Sequence, residues 1–90
     1  MGLLLVTYDI AHDRRRAKLH TVLNEYGVQV QESVFECDLD DTAERDLRRR
    51  LRMLARRDDN IRLYPLCADC MDQVTDAKGN AVSANLPLYA

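Results

Sequence analysis

The hydrophobic positions of this chain switch several times between strand-like and helix-like spacing. The first segment is a continuous apolar run followed by a carboxylate, Asp9, and such a run predicts a central strand covered on both faces. Further along, Phe35, Cys37 and Leu39 alternate with acidic residues, which is typical of a half-buried strand. The predicted strands are residues 3–9, a short strand that begins at Val28, residues 33–39 and residues 61–64, with Pro65 at the edge or end of the last one.

Two segments between these strands repeat apolar residues at helical spacing. The first helix is predicted to begin at Arg14 with Asp13 as its N-cap, and Gly27 supplies its C-terminal stop. The second helix opens at residues 41–44, which resemble a capping box, and residues 58–60 end it. The predicted apolar stripes are Leu19, Val22, Leu23 and Tyr26 in the first helix, and Ala43, Leu47, Leu51 and Leu54 in the second.

The order of these elements is strand, helix, strand, strand, helix, strand. It predicts an α+β domain with an antiparallel sheet and both helices on one face, the ferredoxin-like βαββαβ arrangement. We assign residues 1–70 to this core, with strand order four-one-three-two and the fourth strand at an edge. Residues 71–90 form a tail with a turn at residues 76–80. The apolar residues of its last part predict a strand-like segment that covers a sheet edge: Val82, Leu86, Leu88 and Tyr89.

The composition limits the class of protein. Ninety residues, 47% of them hydrophobic and 31% charged, fit one soluble globular domain. No segment approaches the roughly 18 consecutive apolar residues that a membrane span needs. The first residues lack the basic region of a signal peptide. Three cysteines are an odd number for a disulfide framework, so we expect a reducing cytoplasm and no membrane association.

The net charge of −2 conceals a basic middle region. Eleven of the thirteen basic residues are arginines, whose forked guanidinium groups suit phosphate oxygens. The arginines at positions 14–16 and those of the second helix are therefore candidate phosphate contacts, which position a nucleic acid without reading its sequence. Solvated helix faces explain the same pattern, because acidic residues are interleaved with the basic ones. The scarcity of aromatic residues argues against a base-stacking platform.

Asp9 is the main candidate for metal chemistry. A carboxylate at the end of a central strand is often no more than a cap for the next loop. It is also a hard oxygen ligand of the kind Mg²⁺ prefers, and phosphate and water can complete the coordination shell. One aspartate per chain makes a poor metal site, but a twofold axis would bring two copies of it together. The residues alone leave both interpretations open.

The cysteines and histidines have several interpretations. Cys67 and Cys70 form a lone C-x-x-C pair, and neither Cys37 nor the two histidines are spaced to complete a zinc site. We expect buried or half-buried thiols, with a zinc site shared between subunits or redox chemistry as alternatives. His20 is expected to be solvated. His12, three residues after Asp9, is positioned to assist proton transfer, although its spacing does not require this.

Four stretches of the chain together resemble one known family. These stretches are LLVTYDI, RRRAKLHTVLNEYG, VQESVFECDL and DNIRLYPLC. In this order they resemble the small CRISPR-associated protein of the spacer-acquisition module, which is often described as its endoribonuclease. The similar part runs from about residue 3 to residue 67, which is most of the chain.

The resemblance implies a ferredoxin-like homodimer whose two sheets face each other. It implies that the Asp9 carboxylates of both subunits bind a divalent metal ion, Mg²⁺ or another, near the twofold axis. The residues that match cleft positions of the family are Tyr8, Arg16, Ser33 and Phe35, and Arg14 is a further candidate contact. The implied chemistry is hydrolysis of phosphodiester bonds in RNA or DNA, with Arg16 holding the backbone. The resemblance also makes the partner subunit's sheet the expected docking place of the tail.

Functions of different classes remain in competition. The first is a metal-dependent endonuclease that acts in CRISPR adaptive antiviral defence. The second is a non-catalytic dimeric scaffold that binds duplex DNA and bridges dimers of the module's integrase. A third is a toxin-like ribonuclease of the same fold. Asp9 permits the first function, and the arginine-rich region suits the second equally well.

Overall fold

The computed structural model describes residues 2–80 of the chain. It contains four strands and three helices in these residues, and both long helices follow a strand directly. The elements are β1 (Gly2–Asp9), α1 (Asp13–Asn24), β2 (Val28–Gln31), β3 (Val34–Leu39), α2 (Asp41–Leu54), β4 (Asn60–Leu66) and α3 (Ala68–Met71).

The four strands form one antiparallel sheet with the order β2-β3-β1-β4. The central strand β1 pairs with β3 on one side, where Leu5 lies opposite Glu36, and with β4 on the other side, where Leu5 lies opposite Tyr64. The predicted strand order and the ferredoxin-like α+β fold are thereby confirmed. Pro65 lies within β4, and a proline is tolerated there because β4 is an edge strand.

The core lies between the sheet and the two long helices. Every second residue of β1 and β3 points into it, and both helices contribute leucines to the same cluster. The predicted stripes are confirmed, because Leu19, Leu23, Leu47 and Leu51 are buried while their stripe neighbours pack against the cluster. The buried members of the core cluster are Leu4, Val6, Tyr8, Ile10, Leu19, Leu23, Phe35, Cys37, Leu39, Leu47 and Leu51.

Both helix starts differ by one residue from the prediction. The N-cap of α1 is His12, whose Nδ1 accepts a hydrogen bond from the backbone N–H of Arg15 at 3.3 Å. The N-cap of α2 is Asp40, whose Oδ1 accepts from the backbone N–H of Ala43 at 2.8 Å. Asp13 lies in the first turn, where its negative charge still favours the helix N-terminus. His12 is thus a helix cap in this structure.

Gly27 is needed for a reason other than the predicted helix stop. The helix ends at Asn24, and the only glycine with a positive φ in residues 2–80 is Gly79. Gly27 is instead required by space, because a Cβ at this position would lie 2.4 Å from the carbonyl oxygen of Glu36 and 2.5 Å from Sγ of Cys37. The absence of a side chain lets the start of β2 approach β3 closely.

The chain after β4 forms the short helix α3, which was not predicted, and then a turn. Asp76 holds this turn, because its Oδ1 accepts from the backbone N–H groups of Lys78 and Asn80 at 2.9 and 3.0 Å. The predicted turn at residues 76–80 is confirmed. The expected strand-like segment at residues 82–90 lies outside the described residues. None of the helices in residues 2–80 is long and apolar enough to cross a lipid bilayer.

We predict that Gly27→Ala lowers the free energy of unfolding by about 1–3 kcal/mol, because the new methyl group overpacks the contact between β2 and β3. Gly79→Ala is the matched comparison: it strains a positive φ of 88° in an exposed turn where nothing lies within 4 Å. Its cost should stay near 1 kcal/mol. Chemical denaturation of both variants measures the difference, and equal stabilities would contradict the spatial role of Gly27.

Candidate functional site

Asp9 is the last residue of β1, and its side chain is exposed. The preceding residue, Tyr8, belongs to the core beneath the helices, so alternation along the strand places Asp9 on the opposite face of the sheet. We call this surface, which α1 and α2 do not cover, the far face. Asn60 is the register partner of Asp9 on β4.

The far face near Asp9 combines apolar, cationic and anionic groups. Thr7 lies between Val34 on β3 and Arg62 on β4, and Arg62 is therefore a diagonal neighbour of Asp9. Arg62 is exposed, and its Nη1 donates to the hydroxyl oxygen of Tyr64 at 3.4 Å. Tyr64 is itself 43% exposed. Arg62 is a phosphate-binding candidate beside Asp9 that the sequence analysis did not single out.

Glu36 is a buried carboxyl group on the same face. Its register partners are Leu5 and Val28, and the residue is only 6% exposed. Within the described residues, its Oε1 has no hydrogen-bond partner. Burial raises the pKa of Glu36 above its ordinary value, because the charged form loses its hydration. Burial likewise raises the pKa of the neighbouring Cys37 thiol to about 11, with a smaller contribution from Glu36, so this thiol stays protonated.

A separate cleft of about 340 Å³ lies beside the N-terminal half of α1, and we call it the α1 cleft. Three of the predicted site residues, Tyr8, Arg16 and Ser33, line it. Asp9 does not line this cleft, although it follows Tyr8 directly. The remaining lining residues are Asp13, Ala17, His20, Gln29 and Glu32.

The side chain of Arg16 is fixed by two hydrogen bonds. Its Nη1 donates to the carbonyl oxygen of Ile10 at 2.9 Å, and its Nη2 donates to Oδ1 of Asp13 at 2.5 Å. The first bond ties Arg16 to the loop that follows Asp9. The guanidinium group is therefore held at the junction between the α1 cleft and the end of β1 while remaining 46% exposed.

A chain of hydrogen bonds crosses the α1 cleft. Asn24 Nδ2 lies 3.0 Å from Nδ1 of His20, and Nε2 of His20 lies 2.9 Å from Oε1 of Gln29. Gln29 Nε2 and the Tyr8 hydroxyl both donate to the carbonyl oxygen of Glu32, each at 3.1 Å. The expectation of a solvated His20 is wrong. His20 lies on α1 and its partner Gln29 on β2, so no local pattern in the sequence could have shown this contact.

Phe35 is fully buried and does not line the α1 cleft. Its ring packs edge-on against the His20 ring, with 5.2 Å between the ring centroids, and lies 6.3 Å from the Tyr8 ring. In the described residues, Phe35 therefore supports the two aromatic residues of the cleft from behind and presents no surface to a ligand.

The start of α1 is anchored by an ion pair across the domain. Arg15 donates from Nε and Nη2 to the two carboxylate oxygens of Asp59, at 2.9 and 3.0 Å. The backbone N–H of Arg56 donates to the same carboxylate at 2.9 Å. These hydrogen bonds, that of Arg15 foremost, hold the pKa of Asp59 below its usual value. Because Asn60 pairs with Asp9, the ion pair also fixes the strand end that carries the candidate metal ligand.

The arginines of α2 fall into two groups. Arg48, Arg49 and Arg50 form ion pairs with acidic residues, and Arg50 also lies 5.5 Å from the centre of the Tyr26 ring. Arg45 and Arg52 are exposed and form no ion pair within residues 2–80. Arg14 and Arg57 are exposed and equally unpaired in that part of the chain. Part of the basic region therefore has internal partners, while the unpaired arginines remain available to phosphate groups.

The cysteine pair is placed differently from the expectation. Cys67 and Cys70 are exposed, whereas buried or half-buried thiols were predicted, and only Cys37 is buried. Within the described residues, no three or more His, Cys, Asp or Glu side chains converge to hold a metal ion. A metal ion at Asp9 would need ligands from water, a phosphate or a second chain.

Comparison with known proteins identifies the family of this chain. Residues 1–74 match the sequence model of the CRISPR associated protein Cas2 family. The chain belongs to the Cas2 family. Among curated relatives, the CRISPR-associated endoribonuclease Cas2 1 of Chloroflexus aurantiacus is 47% identical over 72 residues, which are 78% of this chain and 77% of that protein.

Two further comparisons extend the similarity. The CRISPR-associated endonuclease Cas2 2 of Thermus thermophilus is 51% identical over 65 residues, which are 71% of this chain and 72% of that protein. A chain of a solved partial Cas6-RT-Cas1–Cas2 complex is 33% identical, with a TM-score of 0.77 over 91% of this chain and 97% of that chain. The fold and the family are thus supported by independent comparisons.

The buried Glu36 generates a pH-dependent prediction. Burial in the folded state raises the pKa of Glu36 above 4.5, so the folded protein binds this proton more tightly than the unfolded chain does. The resulting contribution to the free energy of unfolding is fully present below about pH 4.5 and is lost as pH rises through the pKa of the folded state. Glu36→Gln should therefore match the wild type at pH 4 and exceed its stability at pH 7 by about 1 kcal/mol.

Asp38→Asn, which alters an exposed carboxylate on the same strand and face, is the control and should shift stability little at either pH. Denaturant unfolding at both pH values gives the comparison. A wild type that is more stable than Glu36→Gln at pH 7 would contradict the assignment.

Proposed function

We propose that this protein is a metal-dependent endonuclease that hydrolyses phosphodiester bonds of RNA or DNA during CRISPR adaptation. The observation that carries the proposal is the position of Asp9, an exposed carboxylate at the end of the central strand, with Arg16 and Arg62 beside it. Relatives at 47% and 51% identity are named endoribonuclease and endonuclease, which supports the same class of reaction.

The active form of the proposed enzyme is a homodimer that joins two far faces. The part of the far face near the end of β1 offers the exposed ring of Tyr64 and the half-buried Thr7, which a second copy can cover. A symmetric contact there places one Asp9 from each subunit at the same axis. Two carboxylates then face the substrate where a single chain provides one.

The residues present fit a hard divalent cation such as Mg²⁺. Carboxylate oxygen is the ligand type that Mg²⁺ prefers, and Mg²⁺ binds through one or two carboxylates when substrate phosphate and water complete its shell. When bound, the ion would supply charge neutralisation at the phosphate and a more acidic water molecule. Asp9 is the residue that would hold it.

The remaining side chains position the nucleic acid. Arg16 is held by the Ile10 carbonyl and by Asp13, so its guanidinium group is preorganised to donate to a phosphate near the strand end. Arg62 supplies a second cation, which lies on the far face. Arg14 lies exposed on the first turn of α1. Such contacts bind the backbone without sequence preference.

A scaffold function is the second candidate. Its supporting observation is the pair of exposed arginines on α2, Arg45 and Arg52, which belong to a helix that does not carry Asp9. A related chain of known structure belongs to a complex named with Cas1, and we infer an integrase of that kind as the partner of this protein. In this function the dimer binds duplex DNA and bridges integrase dimers, and hydrolysis is dispensable.

We predict that Asp9→Asn reduces Mg²⁺-dependent cleavage by about two orders of magnitude or more, because a symmetric dimer loses both of its protein ligands at once. Cleavage of single-stranded RNA and of duplex DNA is measured with Mg²⁺ and with a chelator. The control is Asp38→Asn. Asp38 is an exposed carboxylate on the same face, but it lies on β3 opposite the start of β1, far along the strand from Asp9, so this variant should cleave like the wild type.

The outcomes separate the two functions. Wild-type cleavage by Asp9→Asn would place the activity elsewhere and overturn the assignment of Asp9. Absence of cleavage in the wild type, together with duplex binding that Asp9→Asn retains, would favour the scaffold function.

We predict that Tyr64→Glu weakens the homodimer, because it places a charge in the proposed contact between far faces. Loss of a central aromatic residue costs about 2 kcal/mol or more per subunit. Met53→Glu is the matched control, since Met53 is a large apolar residue of α2 with 75% exposure and lies away from the far face.

Sedimentation equilibrium at micromolar concentration gives the dimer constants. We expect a dimer for the wild type and for Met53→Glu, and a largely monomeric Tyr64→Glu. A monomeric wild type would count decisively against the dimeric site, and an unchanged constant for Tyr64→Glu would exclude this part of the far face as the interface.

A further inference from the structure

The cysteine pair at residues 67 and 70 has no part in the proposed function. Cys67 follows the end of β4 and is the N-cap residue of α3, and Cys70 lies one turn later. The two Sγ atoms lie 3.4 Å apart in hydrogen-bond contact, and both residues are exposed. The chain thus holds two accessible thiols next to each other at the point where it leaves the sheet.

We propose that Cys67 and Cys70 are a redox site that closes to an intramolecular disulfide by exchange with a low-molecular-weight disulfide such as oxidised glutathione, and reopens with the reduced thiol. This site is independent of nuclease or scaffold activity.

The geometry requires little movement for the bond to form. The two cysteines are three residues apart on one helical turn, so their side chains lie on the same side of α3. The Sγ atoms must approach from 3.4 Å to the bonded distance of about 2.0 Å, which rotation of the side chains can supply. The preceding residue, Leu66, stays paired with Leu3 of the central strand and holds the start of the turn in place.

The two thiols differ in a way that assigns their roles. Hydrogen bonds from the backbone and side chain of Cys70 lower the pKa of Cys67, while the same contact raises the pKa of Cys70. Cys67 is therefore the attacking thiolate and Cys70 the resolving thiol. Cys37 is buried with a raised pKa, so it does not compete for the oxidant.

The exchange is balanced in two steps. The Cys67 thiolate attacks one sulfur of oxidised glutathione, forms a mixed disulfide and releases one glutathione thiolate. The Cys70 thiol then loses its proton and attacks Sγ of Cys67, which releases the second glutathione thiolate. Two protein thiols are oxidised with the loss of two electrons and two protons, and one glutathione disulfide is reduced to two glutathione molecules.

Within one chain, a zinc site explains the cysteine pair less well than a disulfide does. A structural zinc ion takes four ligands, and the described residues bring no third cysteine, histidine or carboxylate to this pair. The closed disulfide, in contrast, needs only the two side chains already in contact. It would fix the turn that carries the chain from β4 towards residues 72–80.

The test is thiol counting on the native full-length protein across a series of glutathione redox buffers. After each equilibration the protein is unfolded in denaturant, its free thiols are trapped with a maleimide and the intact mass is measured. We expect the wild type to lose two of its three free thiols, those of Cys67 and Cys70, under oxidising conditions, to retain no glutathione and to recover both thiols in reduced glutathione. Cys37→Ser is the matched control and should lose the same two thiols.

The single variants separate the two steps. Cys70→Ser should stop at a mixed disulfide with one bound glutathione, because it keeps the attacking thiol and lacks the resolving one. Cys67→Ser should take up glutathione more slowly.

Three results would overturn the proposal: a wild type that accumulates the glutathione adduct, a disulfide between chains on a non-reducing gel, or stoichiometric zinc that protects both thiols and is absent from the double serine variant.

Discussion

Helices α1 and α2 pack on the same face of the sheet, and alternation along each strand then assigns every second side chain to the core and the others to the far face. Leu4, Val6 and Tyr8 fill the core from the central strand, so Asp9 has to emerge on the far side. The placement of the candidate metal ligand is therefore a consequence of core packing. A shift of β1 by one residue would turn the Asp9 carboxylate into the core and turn Leu4, Val6 and Tyr8 to the far face.

The same constraint divides the candidate site into two surfaces. Tyr8 reaches the α1 cleft from the core side, where its hydroxyl donates to the Glu32 carbonyl, while Asp9 and Arg62 occupy the far face. Arg16 connects them, because it lines the cleft and donates to the loop after Asp9. A nucleic acid bound to both surfaces would pass the end of β1, where Arg16 lies.

Sequence could predict features with local causes and those that the order of the elements sets. The helix stripes and the turn held by Asp76 follow from spacing within short segments, and both were predicted correctly. The strand order was also predicted correctly, because the order of strands and helices along the chain indicates the fold class that has it. The helix N-caps were predicted one residue too late, because two residues able to cap stand side by side at each helix start. The backbone geometry decides which of the two side chains accepts a hydrogen bond from a backbone N–H of the first turn. The contact between His20 and Gln29 joins separate elements. The exposure of Cys67 and Cys70 depends on a one-turn helix, which is too short to leave a periodic pattern.

The arginines show how the fold sorts one charge pattern into different roles. The guanidinium group of Arg15 donates two hydrogen bonds to the Asp59 carboxylate, whose side chain is only 2% exposed. Arg15 therefore holds α1 against the start of β4 and is not available to phosphate. Its neighbours Arg14 and Arg16 remain exposed on either side of that anchor. A run of three arginines thus contains one structural residue and two candidate contacts, because the buried Asp59 carboxylate pairs only with the middle one, while the partner of Arg16 is the exposed Asp13. The ion pair between Arg15 and Asp59 sets the position of the Arg14 and Arg16 guanidinium groups relative to Asp9. Phosphate binding by this segment therefore depends on Arg15, although Arg15 itself does not contact the phosphate.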